Sequence, residues 1–197
     1  MPKIVDHHQR RLDLVNATWR IIARHGIEGA TMREIATEAG FANGALKPYF
    51  PTKDDLITSA FGHVFNQTNQ RIATTSTGLA GMAALRAFAL EVLPLDEDRI
   101  NEARIVIPFW QKALTDPAKA QLHETSMEEW RNTMAGHLSR AREMGEVTAR
   151  ASNEDIINQL MSMLLGAQII AAMSPTQHLP AQLNAQLEAY LLLLGPA

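Results

Sequence analysis

Apolar residues recur at three- and four-residue intervals along almost the whole chain, and no stretch alternates long enough to make a strand. From Gln9 to His25, Leu12, Val15, Trp19 and Ile22 mark one face of a helix that Gly26 closes. Thr31, with Glu34 three residues on, forms a capping-box pattern for a helix starting at Met32. Its stripe is Ile35, Ala36 and Ala39, and Gly40 is its exit. A second short helix is expected from about Asn43 to Tyr49. Thr52 and Asp55 repeat the cap and open a longer helix striped by Leu56, Phe61, Val64, Phe65 and Ile72. After a small, polar loop over residues 73–81, Leu85, Phe88, Ala89 and Val92 mark a helix stopped by Pro94. A short acidic connection leads to a helix from Ile100 to Leu114, which Pro108 should bend. Asp116 and Pro117 open a long helix ending at Gly145, with Leu122, Trp130, Met134, Leu138 and Ala141 inward. Ser152 and Asp155 cap a helix running to Met173 that is apolar on two sides, and Pro180 opens the last one. The expected fold is all-α, with about nine helices in a head over residues 1–52 and a helical body over residues 53–197.

Within the head, a capped helix, a glycine turn and a short helix that begins with small residues describe a helix-turn-helix. The second helix of such a unit lies in the DNA major groove. Thr31, Ile35, Ala36, Ala39, Gly40, Gly44, Leu46, Tyr49, Phe50, Lys53 and Leu56 stand at matching positions, and on them the segment resembles the DNA-binding domain of the tetracycline-repressor (TetR) family. The resemblance implies a double-stranded DNA operator as partner. Ala42, Asn43, Gly44 and Lys47 belong to the reading segment, and Thr31, Arg33, Tyr49 and Lys53 are expected at phosphates. There are two departures. Ala42 stands where the family usually has a hydroxyl cap, leaving that role to Asn43. Lys47 and Pro48 replace an aromatic residue and a histidine, and Pro48 should end or distort the helix there.

The run from Ala103 to Val147, followed by a leucine-rich helix pair, is similar to the C-terminal domain of the choline/betaine-repressor subgroup of the same family. This implies a dimeric, ligand-responsive repressor with a small-molecule effector. From the residues alone, Phe61, Phe65, Phe88, Phe109, Trp110, Trp130, Met134 and Met161 are either pocket lining or ordinary core, Met161 being an adaptable core filler before it is a ligand contact. A mainly apolar effector is expected near Phe65, Phe109, Trp110 and Trp130, with the helix starting at Lys53 as the lever to the head. The last two helices carry more leucine than one packing face can hide. Ile157, Leu164, Leu183, Leu187 and Leu191 are therefore expected at a two-fold homodimer interface.

Net charge is -3, which at first argues against a nucleic-acid partner. Its distribution moderates that objection: residues 1–55 carry eight Lys/Arg against seven Asp/Glu, and the remainder ten against fourteen. The DNA reading thus rests on the placement of Lys3, Arg10, Arg11, Arg33, Lys47 and Lys53. With no cysteine, disulfides and thiolate metal sites are excluded, as fits a reducing cytoplasm. The first residues lack the apolar run of a signal peptide, and Leu160 to Met173 is too short to span a membrane. HETSM at His123 lacks the second histidine of a zinc-binding HExxH, and no phosphate loop, nucleophile elbow or paired carboxylate is present. No cofactor is expected. The rival readings are an all-helical interaction module that uses its helix-turn-helix only for packing, and an enzyme on a helical fold.

Overall fold

The computed structural model describes residues 7–42, 44–174 and 180–196, and every regular element among them is α-helical. The helices are α1 (His7–Gly29), α2 (Met32–Glu38), α3 (Lys53–Thr75), α4 (Gly81–Val92), α5 (Glu97–Ala113), α6 (Pro117–Glu143), α7 (Asn153–Met173) and α8 (Pro180–Leu192). Local chemistry sets their starts. Thr31 and Thr52 each close a complete capping box, with Glu34 and Asp55 respectively, and the Ser152 hydroxyl accepts from the Asp155 amide. Such a cap contributes about 1 kcal/mol. Asp96 caps α5 three residues earlier than the apolar pattern suggests, so the acidic connection expected there is the cap and first turn of that helix. At α4, Ala80 has no capping side chain. The Glu146 carboxylate, just beyond α6, accepts from the Met82 amide at 2.8 Å instead.

Two glycines carry the sharp exits. Gly26, at φ 70°, breaks α1 before its last turn, and Gly40, at φ 72°, ends the helix-turn-helix's first arm. The next segment departs from expectation. Residues 44–49 form turns and not a continuous helix: Ala45 N bonds Ala42 O, and Tyr49 N and Phe50 N share Leu46 O, each at 2.9 Å. Pro48 has no N–H to give and disfavours helical geometry at Lys47, so the ladder cannot run through. Asn43, expected to take over the cap, and Lys3 lie outside the described residues.

Packing is organised around two clusters. One joins Leu14, Val15, Ile22, Ile35, Leu46 and Phe50 of the head to Leu56, Ile57 and Phe61 of α3, and also to Ile105, Val106 and Phe109 of α5. The other fills the body with Leu85, Phe88, Met134, Leu138, Leu160, Leu164 and Leu187. Because α1 packs against α2 and α3 as well as α5, it buries Leu14, Ala17 and Ile21 as well as the expected Val15 and Ile22. In α6 the inward position is Met127; Leu122, expected inside, is 38% exposed. Pro108 lies inside α5, which continues through it to Ala113. By length and composition alone α7, with 21 residues and a mean hydropathy of 1.6, could cross a membrane, because its apolar pattern begins at Ile156 and not at Leu160. Its inner face, from Ile156 to Ala171, is covered by the chain's own core.

Candidate nucleic-acid interface and effector cavity

Most of the residues expected to meet DNA are exposed on the head. Thr31, Arg33, Ala42, Gly44 and Lys47 are exposed, while Tyr49 is half-buried and stands edge-on to Phe41, with ring centroids 6.4 Å apart. Thr31 holds α2 as well as facing solvent: its hydroxyl donates to Glu34 at 2.6 Å and accepts from the Glu34 amide at 3.2 Å. The bond from the hydroxyl, with a second from the Thr31 amide at 3.1 Å, holds the Glu34 carboxyl below its ordinary value. Lys53 is partly committed, since its ammonium donates to the Ile27 carbonyl at 2.5 Å and so fastens the start of α3 to the end of α1. Arg20 bonds Glu38 at 2.7 Å and Arg24 bonds it at 3.1 Å, pinning α1 to α2, and the Arg20 bond is the main reason the Glu38 carboxyl is lowered. Arg11 bonds the Tyr49 carbonyl at 3.1 Å, a contact that apolar periodicity could not reveal.

In the body, aromatic rings form a row that crosses from one core cluster to the other. Phe109 stacks on Phe61 at 3.9 Å, Phe61 on Phe65 at 6.3 Å, Phe65 on Trp130 at 5.4 Å, and Phe88 meets Trp130 edge-on at 5.7 Å. Beside this row lies a narrow cavity of about 30 Å³, room for a water or two, walled by Phe61, Phe65, Trp110 and Trp130. The other four residues expected in its wall are elsewhere. Phe109 turns into the head cluster, Phe88 stands behind Trp130, and Met134 and Met161 are enclosed in the body core. Trp130 is oriented by its indole N–H, which donates to Asn69 at 2.8 Å, whereas the buried Trp110 indole N–H has no protein acceptor.

One wall of the cavity is ionic. Arg71 grips Glu102 with two bonds of 2.8 Å and reaches Glu91 at 3.2 Å, and Arg99 bonds Glu91 at 2.6 Å. Burial pushes the Glu102 carboxyl up, and the Arg71 guanidinium opposes that rise. Glu91, Arg99 and Glu102 face the cavity, and all four line an open polar groove of about 660 Å³ that includes Trp19, Gln70 and Asp98, so the network separates groove from cavity. The sequence holds a signal for it: Glu91 sits between Leu90 and Val92 in a helix whose one other charge is Arg86, and Glu102 precedes the buried Ala103. A charge embedded in an apolar stripe needs a partner.

The last two helices leave apolar surface exposed at opposite ends of the pair: the Tyr190 hydroxyl donates to the Ile156 carbonyl and the Leu194 carbonyl accepts from the Thr148 and Ala149 amides, so the end of α8 lies beside the start of α7. Ile157, Leu164, Leu187 and Leu191 are buried inside the chain, and Leu183 is half-buried; α7 and α8 pack these faces into the body core, so four of the five residues expected at a dimer interface are already covered. The exposed residues are Ile169, Ile170 and Met173 of α7, with Leu192 and Leu193 at the end of α8.

Comparison with known proteins agrees along the chain. Residues 14–60 match the family described as bacterial regulatory proteins, tetR family, and residues 81–195 match the BetI-type transcriptional repressor C-terminal domain. The HTH-type transcriptional regulator PksA of Bacillus subtilis is 38% identical over 110 residues, 55% of this chain and 54% of that protein, so the match spans about half the relative's length. The regulator BetI of Burkholderia mallei is 26% identical over 180 residues, 88% of this chain and 87% of its own. Among solved structures, a transcriptional regulator from Rhodococcus sp. Rha1 superposes with a TM-score of 0.81 at 27% identity, over 93% of this chain and 95% of that one. A Saccharomonospora viridis protein, described as a transcriptional regulator in complex with choline, gives 0.85 at 18% identity over 93% and 96%.

Proposed function

This chain belongs to the TetR family of bacterial transcriptional regulators, and on that premise we propose that it is a ligand-responsive repressor that binds a near-palindromic operator as a homodimer in the cytoplasm. The observation that carries the ligand-responsive part is the aromatic cavity with its ionic wall, set between the two cores and bounded by α3 and α5. In the head, residues 42–49 read the major groove, with Thr31, Arg33 and Tyr49 at phosphates. Lys53 has N–H bonds to spare for a phosphate beyond the one given to Ile27. In the body, the effector is small and mainly apolar, bound between the faces of Phe65, Trp110 and Trp130. The aromatic faces favour one that also carries an organic cation, whose charge they attract. The choline complex of the Saccharomonospora protein points the same way.

A cavity this small cannot take an organic molecule without moving its walls. Occupancy therefore shifts α3 and α5, and both reach the head: Asp54 in the first turn of α3 pairs with Lys112 at the end of α5 at 2.6 Å and with Lys119 of α6 at 2.5 Å. The dimer forms through Ile169, Ile170, Met173, Leu192 and Leu193 of each subunit, placing two heads on successive major grooves. The test is calorimetric titration of organic cations, choline first, with and without an operator selected from random duplexes. An effector should bind more weakly to the DNA complex, and operator more weakly to the loaded protein, by the same factor of about 5 to 150. A ligand that binds equally in both states is not the effector, and failure to select any sequence removes the regulator reading.

A further inference from the structure

The reading segment does not hold its own shape. Residues 44–49 lack a helical ladder, Pro48 supplies no N–H, and one carbonyl, Leu46 O, takes two amides. Support comes from the first turns of α1. Arg11 donates from Nη1 to the Tyr49 carbonyl at 3.1 Å, and its guanidinium carbon lies 4.3 Å from the centre of the fully buried Phe50 ring. Arg10 lies 5.6 Å from the Phe41 ring, on the near side of the segment, and the His7 and Tyr49 rings are 5.6 Å apart. Both ends of the segment are thus gripped by one helix.

We propose that Arg11 is a positioning residue for operator reading, acting through the Tyr49 carbonyl and the Phe50 ring to fix the angle at which residues 44–49 enter the groove, and not through a phosphate. The inference rests on the DNA-binding reading above. Arginine suits the task because its planar head can lie on a ring face and donate in its own plane at the same time, which an ammonium cannot do. A carbonyl at the end of an interrupted segment also needs a donor, and a charged one makes the stronger bond. Arg11 is itself exposed, so replacing it removes little core.

The experiment compares wild-type protein with Arg11→Met and Arg11→Lys on the operator recovered by wild type and on a random duplex, across a potassium chloride series. Arg11→Met should lose about tenfold or more on the operator, far less on the random duplex, and keep the wild-type salt slope. Repeating the selection with it should return a degraded consensus. Arg11→Lys, which keeps a charged donor without the planar stack, should recover part of the loss. An equal loss on both duplexes with a slope lower by about 1 would assign Arg11 to a phosphate and overturn the proposal. So would an unchanged affinity and consensus. If Arg11→Met is not folded in thermal melts, the consensus of Arg11→Lys carries the test, and its identity with wild type would overturn it. If the wild-type protein recovers no consensus, the DNA-reading premise falls and this inference falls with it.

Discussion

Three histidines show how single residues set the pH response of this molecule. His63, His123 and His137 are each half-buried, and desolvation lowers all three below the ordinary imidazole value of 6.5, with the Arg131 charge adding to the effect at His123. Near that value the unfolded chain binds more protons than the folded one. Stability therefore rises with pH across 6.5 and is lost as pH falls below it. Thermal melts from pH 7.5 to 5.5 should show a falling midpoint, and His137→Gln should flatten part of the slope. A midpoint that rises on acidification would contradict the assignment. At this scale the sequence was most legible where partners are three residues apart: the caps at Thr31, Thr52 and Ser152 need only their own neighbours. Arg71 with Glu102, 31 positions away, and Arg11 with Tyr49, 38 away, depend on tertiary approach, which no local pattern encodes.

Among the elements, the reading segment is the one where sequence rules conflict. Small residues and the flanking Tyr49 and Phe50 call for a helix, Pro48 forbids its ladder, and the outcome is a run of turns. Restoring the amide with Pro48→Ala should allow residue 48 to bond back to Gly44 and draw residues 44–49 towards helix. Amide hydrogen exchange would then show a newly protected residue 48, together with a changed operator consensus. No protection and an unaltered consensus would mean that Pro48 is not what bends the segment. Outside that segment, periodicity named the right helices but not always the right faces, because it reports an apolar stripe without saying how many neighbours will cover it. In α1, covered by α2 and α3 as well as α5, Leu14, Ala17 and Ile21 are buried beside the predicted stripe; in α6 the stripe shifts from Leu122 to Met127. The cavity was legible as an aromatic composition, but which rings face it depends on how α3, α5 and α6 meet.

For the whole molecule, separating the residues of the internal core from those of the proposed subunit contact gives a sharp test. Ile170→Glu, at a position 67% exposed, should leave the subunit folded and halve the mass seen in sedimentation, while Leu187→Glu, fully buried, should unfold the body. If Ile170→Glu leaves the mass unchanged, the contact is elsewhere. The sequence indicated that α7 and α8 carry surplus leucine, yet the choice between inside and outside needed the fold. The same holds for the boundary at residue 52, since Ile105, Val106 and Phe109, far beyond it in the chain, close the core around Leu14, Ile35 and Phe50. That shared core limits how such regulators can diversify by recombination. A crossover just after the reading segment would deliver a head whose hydrophobic floor belongs to another parent. Hybrid genes that keep head and α5 from one ancestor should therefore outnumber, among functional survivors of shuffling, those that divide them.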